Sequence, residues 1–331
     1  MMKDQNGLEL NHDFYKDIVA GILETHFPGL QYSAALIGWG SEVIGFDDDL
    51  SADHNWGLRF QIFLSKDDHK DLGIKINEIL NTYLPETYKN YPTKFEISVN
   101  PDQRDPHLAG LSRHNIDIET LESFFTRYLG WDPGRAISSN DWLGFSEHKL
   151  LAVTRGKVFH DPKGKLENVR EKLNYYPEHV WIYLLAKQWK LIFDEQAFVG
   201  RCGYSGDEIG SRIIAARQIE KLMRLCFLIE RRYAPYSKWF GKAFSKLNCA
   251  DELMPLFENI LDAKNYKTRE KHLAVAYKIV IGRFNSLGIT ERMDDEISEY
   301  FGRPFLVIKD EAVVEYLRNS IQDEEIRTTQ F

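Results

Sequence analysis

From Asp53 to Leu64 the chain alternates between two kinds of side chain. His54, Trp56, Leu58, Phe60, Ile62 and Leu64 make a nearly apolar set, and Asp53, Asn55, Gly57, Arg59 and Gln61 make a nearly polar one. A period of two belongs to a β-strand, whose side chains point alternately to its two faces. Such a strand buries one face and offers an acid, an amide and a guanidinium on the other, which suits the lining of a polar site. Asp53 and Asn55 then point the same way, about 7 Å apart along the strand. At that spacing two oxygen donors can share a hard cation such as Mg²⁺. His54 falls on the apolar side and reads as a core histidine.

Upstream, residues 31–38 read as a short strand through Ala34, Ala35, Leu36 and Ile37 that runs into Gly38-Trp39-Gly40-Ser41. Glycines and a serine after a strand let backbone N–H groups approach a phosphate closely. Asp47-Asp48-Asp49 reads as a solvated loop. The order strand, Gly-Ser turn, about a dozen residues, acid-x-acid resembles the signature of the DNA-polymerase-β-like nucleotidyltransferase superfamily. The resemblance implies that Gly40 and Ser41 hold a nucleoside triphosphate, that Asp53 and residue 55 hold Mg²⁺ or Mn²⁺, and that a third acid comes from a neighbouring strand. Asn55 stands where a second acid is expected, so the site carries one negative charge less. Asp117 in Asn115-Ile116-Asp117-Ile118 is the first candidate for the third acid and for a catalytic and metal-binding role. Glu96 in Phe95-Glu96-Ile97 is the second, and Glu119 is a reserve. Arg59, on the polar face, is a candidate for a nucleotide phosphate.

Further along, Arg231-Arg232-Tyr233-Ala234-Pro235-Tyr236-Ser237-Lys238-Trp239-Phe240-Gly241 resembles the hallmark of a bacterial family, domain of unknown function family 4037. Trp142-Leu143, Gly156-Lys157-Val158-Phe159-His160-Asp161, Tyr176-Pro177, Gly206-Asp207-Glu208-Ile209-Gly210-Ser211 and Arg303-Pro304-Phe305 are similar to it as well, so the resemblance runs from about residue 35 to 310. It implies a nucleotidyltransferase-like first half and a helical second half. The layout is also similar to that of aminoglycoside nucleotidyltransferases, which implies a general base in the helical half, with Asp207 and Glu208 as inseparable candidates. Acids in a first helical turn also satisfy the helix dipole without any catalytic role. Lys238 is a further candidate for a phosphate.

The periodicities predict helices over 14–27, 70–83 and 121–130, and strands over 94–99 and 115–119. Strands are expected to cease there, with a boundary at Trp131-Asp132-Pro133-Gly134. Helices are predicted over 146–155, 169–174, 178–193, 206–232, 235–247, 251–263, 268–287, 294–301 and 311–321, with a lone strand at 305–308. The expected class is α+β: a nucleotidyltransferase-like mixed sheet with helices over residues 1–135, then an all-helical domain over 136–331.

Composition excludes several classes. A net charge of −8 argues against an extended nucleic-acid partner, whose recognition needs basic surface. Three cysteines without CxxC spacing give neither a disulfide framework nor a zinc site and fit a reducing cytoplasm. No hydrophobic signal segment opens the sequence and no run reaches membrane length, so no membrane partner is expected. The expected function is a metal-dependent nucleotidyltransferase that moves a nucleoside monophosphate to an acceptor hydroxyl lying between the two halves. A small-molecule acceptor is preferred to a protein or an RNA end. The alternative is a nucleotide-binding or regulatory protein that has lost turnover, with Asn55 as the sign.

Overall fold

The structure of the chain, a computed structural model, describes residues 6–47, 57–96 and 112–331. Along the chain come α1 (Gly7–Phe14), a π-helical segment (Tyr15–Val19), α2 (Ala20–His26), β1 (Ser33–Leu36), β2 (Arg59–Leu64), α3 (Lys66–Tyr83), β3 (Thr87–Tyr88), β4 (Tyr91–Pro92), β5 (Lys94–Glu96), β6 (Ser112–Thr120), α4 (Leu121–Leu129), α5 (Ser139–Gly144), α6 (Glu147–Thr154), β7 (Lys157–His160) and α7 (Lys165–Lys172). There follow α8 (Glu178–Phe193), α9 (Phe198–Tyr204), α10 (Glu208–Ile229), α11 (Ser237–Phe244), α12 (Ala250–Asp262), α13 (Tyr266–Asn285), β8 (Ile297–Tyr300), β9 (Arg303–Ile308), α14 (Ala312–Ser320) and α15 (Glu324–Thr328). The class is α+β. Two compact units form, Met1–Ile137 with Phe145–Asn174, and Ser138–Gly144 with Tyr175–Phe331.

In the first unit a five-stranded mixed sheet has the order β5-β6-β2-β1-β7. Its centre is β2, which lies antiparallel to β1 and parallel to β6. The alternation in β2 decides what covers each face. Phe60 meets Phe14, Tyr15 and Phe159 edge-on at 6.2, 5.8 and 5.5 Å between ring centroids, so the first helical segment and β7 close that side. Phe63, on the opposite face, meets Phe124 of α4 at 5.5 Å. Tilted and edge-on ring pairs of this kind add to the burial of the rings themselves. At the start of β2 this second face carries Arg59 and Gln61 instead of apolar residues.

Strands do not cease at residue 130. β7 pairs with β1 as a sheet edge, placing Ala35 opposite Val158. Residues 145–174 therefore return to the first unit, and the division is not a single cut after residue 135. Four residues of Lys-Val-Phe-His are too short to establish a period, and the turn into them depends on Gly156 at φ +79°. The helix predicted over 294–301 is also corrected, because Ile297–Tyr300 is a strand paired with β9. Tyr300 lies opposite Arg303 across a two-residue loop in which Phe301 and Gly302 have φ of 49° and 72°. Both central residues at positive φ make the hairpin turn that matches strand twist. The second unit thus holds a hairpin beside its helices and is not all-helical. Of the strand predicted over 94–99, the described part is Lys94–Glu96.

In the second unit α8, α10 and α13 pack around Trp181, Trp189, Leu222 and Phe284, each at most 1% exposed. Gln196 ties the hairpin to this core, donating to Ile308 O at 3.0 Å and accepting from Ile308 N–H at 2.7 Å. No helix among the described residues is long and apolar enough to cross a membrane.

Glu270 of α13 is 5% exposed and accepts from Leu306 N–H at 3.1 Å. Burial pushes its carboxyl from 4.5 up to about 7, against the pull of that hydrogen bond. The folded state therefore keeps a proton that the unfolded state releases. The resulting stability is present below pH 4.5 and is lost as pH rises through about 7. Glu270→Gln keeps an oxygen for Leu306, so its melting temperature should exceed that of the wild type at pH 8 and converge with it at pH 4.5. Thermal unfolding at the two pH values checks this, and an equal shift at both would show that the carboxyl does not titrate there.

Candidate active site

β1 and β2 run antiparallel with Ala35 opposite Gln61, so the chain leaving β1 emerges beside Arg59, the first residue of β2. β6 runs parallel to β2, with Arg59 opposite Asn115 and Gln61 opposite Asp117. The glycine turn at 38–41 and Asp117 thus flank the amino end of β2 from its two sides.

The turn is held from several directions. Gly38 N–H donates to Ala152 O at 3.0 Å, and Gly156 N–H donates to Val43 O at 2.9 Å. Arg59 Nη2 donates to Trp39 O at 2.6 Å and pairs with Glu42, whose side chain is 2% exposed. Gly40 sits at φ +114°, and a Cβ there would collide with the side chains of Arg59 and Glu42. Glycine is required at residue 40 for both reasons. Ser41 follows it and is buried.

Beside the turn lies a cavity of about 630 Å³ whose walls include Trp39, Arg59, Gln61, His69, Asn77, Arg113, His114 and Asp117. The Asp117 side chain opens to the cavity, yet the surrounding protein displaces enough water to raise its carboxyl above the usual range. Desolvation outweighs the opposing pull of Arg127, Arg113 and Arg59. Glu119, half-buried on the same face of β6, is raised for the same reason, while Arg127 pulls it down through hydrogen bonds of 2.9 and 3.0 Å. Arg127 also lies over the Trp39 ring, 5.0 Å from its centroid. Buried His114 accepts from Ile116 N–H at 3.1 Å through Nδ1, and burial lowers its value, so the ring is neutral and carries its proton on Nε2.

Of the candidates from sequence, Arg59 and Asp117 line this cavity, and Gly40 and Ser41 lie in the turn that Arg59 holds. Arg59 lines the cavity, but its guanidinium is directed at Trp39 O and Glu42 and so positions the turn. Asp53 and Asn55 lie outside the described residues, as do Asp48 and Asp49. Glu96 ends β5 opposite Ser112, on the side of β6 away from β2, and its side chain lies outside the described residues. Among the described residues no group of three or more His, Cys, Asp or Glu side chains could hold a metal ion.

Asp207, Glu208 and Lys238 belong to the second unit and are not among the residues lining this cavity. Asp207 caps α10, accepting from Gly210 N–H at 2.7 Å. Glu208 accepts from Tyr266 N–H at 3.0 Å and from fully buried Arg269 at 3.1 Å. Both carboxylates have structural partners, which accounts for acids at the start of this helix. Lys238, exposed in the first turn of α11, has its ammonium 4.7 Å from the centroid of the Trp239 ring. Reasoning from sequence missed Glu42, Trp39, Arg113 and Arg127. Glu42 had a signal in the sequence, as the acid following a Gly-Ser turn; the others depend on tertiary contacts.

A family model described as a domain of unknown function (DUF4037) matches residues 142–240. That is narrower than the span over which the resemblance was expected. No curated protein matches the chain. Among solved structures, a nucleotidyltransferase-like protein from Exiguobacterium sibiricum is similar at a TM-score of 0.35 and 10% identity, covering 89% of this chain and 82% of that one.

Arg59→Met would leave the buried Glu42 carboxylate without its guanidinium partner. Removing one member of a buried pair costs about 3–5 kcal/mol. Urea unfolding should show a loss of that order, and Glu42→Gln in the Arg59→Met background should recover part of it. Additive losses would show that the two side chains are not coupled.

Proposed function

We propose that this chain is a nucleotidyltransferase that moves a nucleoside monophosphate from a nucleoside triphosphate to an acceptor hydroxyl. The observation that carries this is the register around β2. A glycine turn that only glycine can make lies against one side of its amino end, and an acid with a raised carboxyl stands on the parallel strand at the other. Residues 53–57, with the polar alternation of Asp53 and Asn55, lead directly into that end.

In this reading backbone N–H groups around Gly40 and Ser41 receive the triphosphate, and Arg59 holds the turn in shape. Arg113, at the cavity wall, offers positive charge to the phosphates. Asp117, with Asp53 and Asn55, would hold Mg²⁺ or Mn²⁺. A bound ion would neutralise the charge developing on the phosphoryl oxygens. Asp117 has chemistry suited to this: an anionic oxygen crowded by protein gains from a nearby cation, and a carboxylate at that place can accept the proton of the incoming hydroxyl. That hydroxyl attacks the α-phosphorus, its proton goes to Asp117, and pyrophosphate leaves. Catalysis rests mainly on positioning and charge neutralisation. The net charge of −8 favours a small-molecule acceptor over a long nucleic acid.

Incubation with each labelled triphosphate and Mg²⁺ or Mn²⁺ should release pyrophosphate. Asp117→Asn should lower that rate about 10²-fold or more, the scale of a lost general base, with an unchanged circular dichroism spectrum. Full activity in Asp117→Asn would remove the role given to it.

Asn55 favours a second reading, a nucleotide-binding protein without turnover, because a neutral amide leaves the metal site short of charge. Asn55→Asp separates the two. In a metal site the new carboxylate should bring Mg²⁺-dependent stabilisation and raise, or create, transfer activity. Melting temperatures of wild type and variant with and without Mg²⁺ decide it, since equal destabilisation in both conditions means like-charge repulsion at a site that binds no metal.

A further inference from the structure

Two of the three cysteines meet in the second unit. Cys226 lies in the last turn of α10 and Cys249 immediately precedes α12, and each is 2% exposed. Both are free thiols, near enough to act on one another electrostatically. A disulfide between them requires the two sulfurs to close to roughly 2 Å. Cys202, in α9, is the third and is more exposed.

The pair is not sealed in. A cavity of about 200 Å³ has both cysteines in its wall, with Ile229, Glu230, Arg283 and Leu287. Glu230 accepts from the N–H groups of Asn248 and Cys249 at 3.0 and 3.1 Å, which fixes the segment carrying Cys249. Arg283 pairs with Glu252. A space of this size, with charged groups in its wall, admits a solute little larger than a few waters.

We propose that Cys226 and Cys249 form a redox site that hydrogen peroxide, or a hydroperoxide of similar size, converts to an intramolecular disulfide. One sulfur of the pair, as thiolate, attacks one peroxide oxygen. The O–O bond breaks, that cysteine becomes a sulfenic acid, and the departing hydroxide takes up the thiol's proton to leave as water. The other sulfur then forms the S–S bond and displaces that hydroxyl group, which leaves as a second water with the second thiol's proton. Two thiols lose two electrons and one peroxide gains them. The bond would close the loop between α10 and α12 that contains α11 and Lys238. None of this depends on the activity proposed for the first unit.

The test uses the full chain. Protein is treated with hydrogen peroxide, the excess is destroyed with catalase, and unreduced digests are mapped by mass spectrometry. The expected result is loss of the mass of two hydrogens, a peptide joining Cys226 to Cys249, and reversal by dithiothreitol. Cys202→Ser should leave this unchanged, whereas Cys226→Ala and Cys249→Ala should each abolish it. Oxidised glutathione, too large for the cavity, should produce the linked peptide far more slowly. Oxygen added at Cys202 while Cys226 and Cys249 remain alkylatable would overturn the proposal, as would equal rates with peroxide and oxidised glutathione. If an alanine variant fails to fold, the wild-type peptide map still decides.

Discussion

The ion pair between Arg59 and Glu42 underlies the arrangement of the first unit. Glu42 is almost wholly buried, and a carboxylate in that position is tolerated only with a charge and hydrogen bonds to meet it. Its partner is the first residue of the central strand, and the same guanidinium reaches the carbonyl of Trp39. One side chain therefore fixes where the turn after β1 lies relative to β2. Gly40 follows from this, since any side chain there would occupy the space the pair needs. The buried pair gains little net stability over an apolar contact; it specifies one geometry for the turn.

Around Asp117 the first unit gathers guanidinium groups within an acidic chain. Arg59, Arg113 and Arg127 all act on Asp117, and Arg127 is bound in turn to Glu119. Crowding still raises both acids, so withdrawal of water outweighs three guanidinium groups at Asp117 and one at Glu119. In the proposed reading, an anionic ligand that arrives with a cation would give each charge on the wall its opposite.

The central elements were legible in the sequence because their periods are long or their punctuation strong. The Arg59–Leu64 part of the alternation, the Ala34–Leu36 run before Gly38, and the helix stopped by Gly130 at φ 78° stand where the pattern put them. What failed was short or depended on partners far along the chain. β7 has four residues, and its place at the sheet edge comes from Gly156 and from contacts of Phe159 with the first helical segment. β8 looked helical because its hairpin turn carries Phe301, a residue rarely found at positive φ. For the proposed site, residue types pointed to Gly40, Ser41 and Asp117. Nothing in the spacing showed that Arg59 would be committed to Glu42, or that Glu208 would be committed to Arg269, because the spacing cannot show which charges are already paired.

Trp39 is 41% exposed, while Trp131, Trp142, Trp181, Trp189 and Trp239 are each at most 5% exposed. Its indole lies on the glycine turn, beneath a guanidinium and at the mouth of the cavity. Among the described residues, then, the fluorophore that water-borne quenchers can reach is the one attached to the turn. The buried indoles emit from dry surroundings, so among the described tryptophans the reddest emission belongs to Trp39. The fold has placed an optical reporter at the spot where an arriving ligand would first displace water.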